Sequence, residues 1–326
     1  MNSRKRTTQA GLLGVCLWML SHATAPAIAQ ESSPIELVEP SSLPTGNGFA
    51  KDYPRDQGIS SYPSVIFSDD FEEGDLGHKW EEIGNRGDSL ELVTQERPDL
   101  DIRNRALKVT ATLGKNTGGG LTKWFESSER IFIRFYTRFD EDCDYVHHFC
   151  TLRANKSLRG GERWSGFGGA GKLPIGSERF STAIEPWGNW GQWTPPGRWN
   201  FYSYWHTMKA SPDGQYWGNG FRPESQPNIK RGEWICVEFM LKHNVPGRND
   251  GEQAYWINGQ LRGHWQGINW RSSHDLWANA FTLESYVTDR WTEQIQNVVY
   301  FDNVVIAKAY IGPSGELTDK TKDIPD

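Results

Sequence analysis

The stretch Trp234–Trp265, WICVEFMLKHNVPGRNDGEQAYWINGQLRGHW, constrains the chain more than any other. It reads as three strands of an antiparallel sheet. In Trp234–Lys242, Val237, Phe239 and Leu241 share one face, and Glu238, Met240 and Lys242 share the other. Asn244–Gly251 carries Pro246, Gly247, Asn249, Asp250 and Gly251, which are turn-forming residues. Glu252–Ile257 is a second strand. Asn258-Gly259 is a two-residue hairpin signal, because a type I′ turn needs positive φ at both central positions. Gln260–Trp265 then runs back. One face of such a sheet is buried. The other, with Lys242, Asn244 and aromatic rings, suits a sugar-binding surface.

The rest of the chain has the same texture. Val65–Glu72, Leu90–Thr94, Ala106–Leu113, Leu121–Phe125, Ile131–Phe139, Tyr145–Arg153, Phe201–Met208, Ala280–Val287 and Val298–Ala307 read as strands. A long Gly-rich loop spans Ser157–Gly171. No helical period holds for three turns. Many strands with Gly and Pro punctuation predict one all-β domain of two packed antiparallel sheets over 63–313. Residues 30–62 are rich in Pro, Ser and Gly and read as a linker or poorly ordered leader. The charged tail, 314–326, is expected to fray.

Residues 1–29 read as a signal peptide: Arg4, Lys5 and Arg6, then apolar Leu12–Leu20, then Ala27-Ile28-Ala29 as a cleavage signal. The expected location is secreted or periplasmic, with no membrane association after cleavage. Beyond that segment lie Cys143, Cys150 and Cys236; the first two are close enough to close a small loop, and Cys236 reads as a buried thiol. A net charge of −6 argues against a nucleic-acid partner. The 16 tryptophans are more than a core needs. Trp187, Trp190, Trp193, Trp217, Trp265 and Trp270 lie in Gly-rich, polar surroundings, where they either pack loops or stack on sugars.

Several segments together resemble a known family: the opening FSDDFEEG, the middle GGAGKLP, the strand before Met208, the Trp234–Trp265 block and the closing VYFDNVVIAKAYIGP. Over roughly Val65–Pro313 their order resembles the concanavalin A-like jelly-roll polysaccharide lyases, in particular the alginate and glucuronan lyases of families fourteen and twenty. The resemblance implies a jelly-roll sandwich and β-elimination at a uronate, with no catalytic cofactor. Such chemistry needs cationic or amide groups on the carboxylate, a base for the C5 proton and an acid for the leaving oxygen. Lys172 lies in the segment similar to the family's GGKLPG. The chain departs from the family pattern at Ala170, and at Trp205, where the family carries an arginine.

Candidates for the reacting site are His147, His148, Tyr204, Lys172 and Arg134. Candidates for binding substrate are Arg138, Tyr136, Arg153, Tyr202, His206, Lys242 and Asn244. Adjacent strand residues point to opposite sides, so only one of His147 and His148 is expected at the site. Asp70 or Glu72 would meet Asp302 if the first and last strands pair; with Asn104 they offer an oxygen shell for a structural Ca²⁺, or are simply solvated turn acids. The reading is a monomeric lyase on a uronate-containing polysaccharide, or a non-catalytic, lectin-like carbohydrate-binding protein on the same fold. A glycoside hydrolase is disfavoured, because no ExDxE or ExDxxE strand occurs.

Overall fold

A computed structural model describes residues 34–98 and 102–315; the segment read as a signal peptide, 1–29, and residues 316–326 lie outside the described residues. In chain order the strands are β1 (Glu36–Leu37), β2 (Val65–Asp69), β3 (Glu82–Gly84), β4 (Leu90–Arg97), β5 (Ile102–Thr112), β6 (Gly118–Trp124), β7 (Arg130–Phe139), β8 (Thr151–Asn155), β9 (Phe180–Trp187), β10 (Arg198–Tyr204), β11 (Asn219–Phe221), β12 (Ile235–Lys242), β13 (Gly251–Ile257), β14 (Gln260–Ile268), β15 (Trp277–Tyr286) and β16 (Gln296–Ala307). They form two antiparallel sheets. The nine-stranded sheet runs β1-β14-β13-β12-β7-β16-β5-β4, with β2 also on β16, and the seven-stranded sheet runs β11-β10-β9-β8-β15-β6-β3. The all-β jelly-roll sandwich expected from the sequence is the observed fold.

The focal stretch folds as its pattern dictates. Val237, Phe239 and Leu241 are buried between the sheets, against Phe201 and Phe281 of the opposite layer. Asn258 and Gly259 adopt φ of 50° and 75°, the left-handed pair that a type I′ hairpin requires. Phe135 meets Phe281 of the opposite sheet, Phe149 just before β8 and Phe301 of its own sheet, filling the middle of the core.

The outer face of the nine-stranded sheet is not the open sugar-binding surface that Lys242 and Asn244 suggest. The leader covers it. Residues 34–62 are ordered here: β1 pairs with β14, and Ala50 and Ile59 are buried against Phe132, Met240, Ala254 and Trp256. Trp256 Nε1 donates to Pro44 O at 2.7 Å. The tail joins in, with Ile311 and Gly312 N–H both donating to the Glu238 carboxylate at 2.8 Å. Burial pushes that carboxyl up to about 7, against the pull of these two amides. A leader without hydrophobic periodicity can still dock, because an irregular segment needs only a few apolar anchors and partners for its backbone groups.

This cover explains where several candidate residues go. Arg134 is fully buried, with Nη2 on Asp56 Oδ1 at 2.7 Å and Nη1 on Asn303 O at 2.8 Å. Tyr136 is buried beside it and accepts from Ser314 N at 2.9 Å. Arg138 lies over the Tyr300 ring and donates to Gln95 at 2.7 Å. Lys242 pairs with Glu252 at 2.8 Å, and Asn244 is buried, tying its turn to Asn269 and Arg271. All of these serve the leader-covered sheet or its turns, so the sequence-based placement of Arg134, Tyr136, Arg138, Lys242 and Asn244 at a substrate site is corrected.

The acids named for a structural Ca²⁺ have protein partners. β2 does pair with β16. Asp302, however, is buried against the Arg97 guanidinium and accepts from Asn104 Nδ2 at 2.9 Å. Glu72 accepts from Arg105 N at 2.7 Å, and Asp70 from Glu72 N at 3.4 Å. Nearby, the Lys79 ammonium lies 3.3 Å from Asp69 and 3.2 Å from Glu73. Arg97 neutralises Asp302 and Lys79 lies between Asp69 and Glu73, while Asp70 and Glu72 accept from backbone amides; among the described residues no cluster of three or more His, Cys, Asp or Glu gathers to hold a metal. Cys143, Cys150 and Cys236 are free and buried.

Candidate active site

The outer face of the seven-stranded sheet is different: titratable groups collect on it. On β10, Trp199 and Phe201 point into the core, so the alternation turns Tyr202 and Tyr204 outward. On β9, Phe180 and Ile184 are in the core, and Ser181, Ala183 and Glu185 lie on the opposite face. On β8, Leu152 and Ala154 are buried, which leaves Thr151 and Arg153 outside.

The register sets these residues in rows. Tyr204 lies opposite Ser181, which lies opposite Arg153. Tyr202 lies opposite Ala183, which lies opposite Thr151. Directly paired residues share a face, so each row has a tall phenol, a small central residue and a third strand beyond. The result is a groove floored by Ser181 and Ala183. Its tyrosine strand and its Arg153 strand are two strand spacings apart, about 10 Å. The two phenol oxygens are 3.3 Å apart. Burial, then the neighbouring Tyr204, pushes the Tyr202 phenol well up. Arg153 leans away from the tyrosines, donating to Thr282 at 2.6 Å and Glu284 at 2.9 Å.

One end of the groove is built around the two histidines. They were expected to point to opposite sides of a Tyr145–Arg153 strand. That strand starts only at Thr151, and both His147 N and His148 N donate to Tyr286 O, at 2.9 and 3.1 Å. This irregular backbone brings the two imidazoles onto one side, stacked with centroids 4.2 Å apart. His148 Nδ1 lies 3.3 Å from Glu185 Oε2. Burial disfavours its charge, but the hydrogen bond and charge of Glu185, helped by Glu284, raise its pKa. Burial, His148 and Arg290 together press His147 down to about 4. The two imidazoles are thus shifted in opposite directions, His147 toward its neutral form and His148 toward its charged form.

The other end is bounded by the Gly-rich loop. Arg179 locks this loop by donating to the carbonyls of Gly168, Gly169 and Lys172 at 2.7, 3.2 and 3.0 Å. A Cβ at Gly169, whose φ is +78°, would stand 1.8 Å from the Arg179 Nη1, so glycine is required there. Ala170, which interrupts the glycine run, is exposed. Lys172 is exposed on this loop. His206, expected to share a strand face with Tyr202 and Tyr204, falls beyond β10 and packs against Gly176.

The structure therefore groups His147, His148, Tyr202, Tyr204 and Arg153 on one face, with Lys172 on its bordering loop. Sequence reasoning missed strand β9 and with it Glu185, Ser181 and Ala183. The alternation of Phe180, Thr182 and Ile184 was the available signal, masked by Pro186 and the surrounding glycines.

No protein-family profile matches the chain, and no curated protein matches its sequence. Solved structures do match. Alginate lyase vAL-1 from Chlorella virus superposes with a TM-score of 0.54 at 18% identity, over 76% of this chain and 100% of that one. The marine PL-14 alginate lyase from Aplysia kurodai gives 0.53 at 15% identity, over 74% of this chain and 98% of its own. The chain has the jelly-roll fold of these polysaccharide lyases.

Proposed function

We propose that this protein is an exported polysaccharide lyase that cleaves a uronate-containing glycan by β-elimination in the groove of the seven-stranded sheet. The observation that carries the reading is the Tyr202–Tyr204 phenol pair, 3.3 Å apart, beside a groove with a small-residue floor and histidines at one end. The fold shared with two alginate lyases supports it.

In this mechanism Tyr204, as phenolate, takes the C5 proton of the uronate. The C5 electron pair forms the C4–C5 double bond, and the C4–O bond breaks with its electrons on the leaving oxygen. The proton on Tyr204 passes to that oxygen, directly or through Tyr202, which burial keeps protonated. His148, whose charged form the partnership with Glu185 favours, and Lys172 neutralise the substrate carboxylate and so acidify C5–H. Arg153 with Glu284 shapes the far wall.

A lectin-like role is the second reading. It is favoured by one observation: Arg153 and His148 are each already paired with a carboxylate. The test is ultraviolet absorbance during incubation with alginate, glucuronan, pectate and glycosaminoglycans. A rise from unsaturated uronate ends supports the lyase. A flat trace with binding by calorimetry selects the lectin.

A further inference from the structure

Beyond the phenols, the rings on this face do not stop. Tyr204 meets Tyr202 at 5.4 Å between centroids, and Tyr202 meets His148 at 5.7 Å. His148 stacks on His147 at 4.2 Å, His147 meets Trp291 at 5.6 Å, and Trp291 meets Trp190 at 5.3 Å. The strip follows β9 from the Ser181 end to the Trp187 end, six residues or about 20 Å along the strand. That is longer than one sugar ring.

Its far end is built in an unusual way. Trp190 is 68% exposed, although its flat side chain would be expected to find cover. Its φ is +57° and that of Asn189 is +49°, a left-handed pair that bulky residues avoid. The turn is held by several bonds. Gly191 N and Trp193 N both reach Gly188 O at 3.1 Å, and Asn189 Nδ2 reaches Gln192 Oε1 at 2.8 Å. Tyr145 Oη fastens the next residues through Trp193 O at 2.6 Å. Trp187 braces the Trp190 ring edge-on at 5.2 Å. Beside this platform, Arg290 is exposed, lies 5.4 Å from the Trp291 ring, and makes no ion pair among the described residues.

We infer that the ring strip is an extended binding track for an acidic glycan, ending in a distal subsite where Trp190 stacks on a sugar face and Arg290 meets its carboxylate. The inference rests on the uronate reading of the groove but not on its chemistry. A braced, exposed indole offers an apolar plate of sugar-ring size at little entropic cost, and an unpaired guanidinium beside it selects acidic over neutral sugars.

The test uses the full chain carrying Tyr204→Phe, so that substrate persists. Di-, tetra- and octasaccharides of alginate, glucuronan and pectate are titrated by calorimetry and by tryptophan fluorescence. Affinity should rise with length for at least one series. Trp190→Ala should weaken the octasaccharide by roughly three- to tenfold, removing most of the gain over the tetrasaccharide, while Trp190→Phe keeps much of it. Arg290→Gln should flatten the salt dependence of octasaccharide binding. The inference is overturned if Trp190→Ala binds the octasaccharide as tightly as its parent, if it weakens every length alike, or if no oligosaccharide binds. Length-dependent, Trp190-sensitive binding without unsaturated ends from the unmodified protein would refute the lyase reading and leave the track standing.

Discussion

Replacing Asp56 by Ala removes the carboxylate partner of the Arg134 guanidinium, which is fully buried beneath the leader. Of the buried groups at this contact, Arg134 Nε and Asp56 Oδ2 already lack partners. The ion pair at 2.7 Å and the Asn303 carbonyl at 2.8 Å are therefore what offset the cost of burying the charge. Breaking one side of a buried pair typically costs about 3–5 kcal/mol, because the other charge is left uncompensated. The Asn303 carbonyl remains, and a loosened leader can admit water, so about 3 kcal/mol is the expected loss. With a urea slope of about 3 kcal/mol per molar, the unfolding midpoint falls by roughly 1 M. High salt should not reproduce the effect, since buried pairs are poorly screened. The double variant Asp56→Leu, Arg134→Met should lose less than the single one, because no charge remains to be buried. An unchanged midpoint for Asp56→Ala, or a double variant worse than the single, would refute the docking of the leader.

Three further outcomes are expected. Burial presses His243 down to about 3, the Glu129 carbonyl opposing, and it accepts the Ala278 N–H as a neutral ring. Burial opposes the Glu252 charge, yet hydrogen bonds from His264 and Lys242 hold its carboxyl at about 2. Both folded values lie below the unfolded ones, so this stability is complete above about pH 6.5 for His243 and about pH 4.3 for Glu252. It is lost as pH falls through about 3 and about 2; a thermal midpoint that is flat from neutral pH to pH 3 would contradict this. Glu185→Gln removes the partner that raises His148, so the alkaline limb of kcat/KM against pH should move to lower pH, and a limb that stays put would exclude charged His148 from the reaction. Gly259→Ala places a Cβ 3.0 Å from Gly46 O at a φ of +75°, and should cost ~1–3 kcal/mol in denaturant unfolding.

The layers of this fold were legible because strand alternation and the Asn258-Gly259 turn are local signals. The side of the sandwich proposed to carry chemistry was not. Arg134 and Tyr204 each lie on the strand face that the apolar alternation leaves outside the core, and only the docking of 34–62 decides that one is sealed and the other is open. Histidine orientation failed for a related reason: alternation applies to strands, and residues 147–148 precede one. Among the six tryptophans singled out, Trp265 and Trp270 are buried, whereas Trp190 and Trp217 are exposed. Composition cannot make that separation, since it depends on which loops meet.

The most direct test of the central claim is product formation by Tyr204→Phe alongside its glycan binding. The uronate panel that yields unsaturated ends with the unmodified protein should yield essentially none with the variant, while calorimetry shows oligosaccharide affinity kept within a few-fold. A variant that turns over at close to the unmodified rate would contradict the assignment of proton transfer to this face of the sheet.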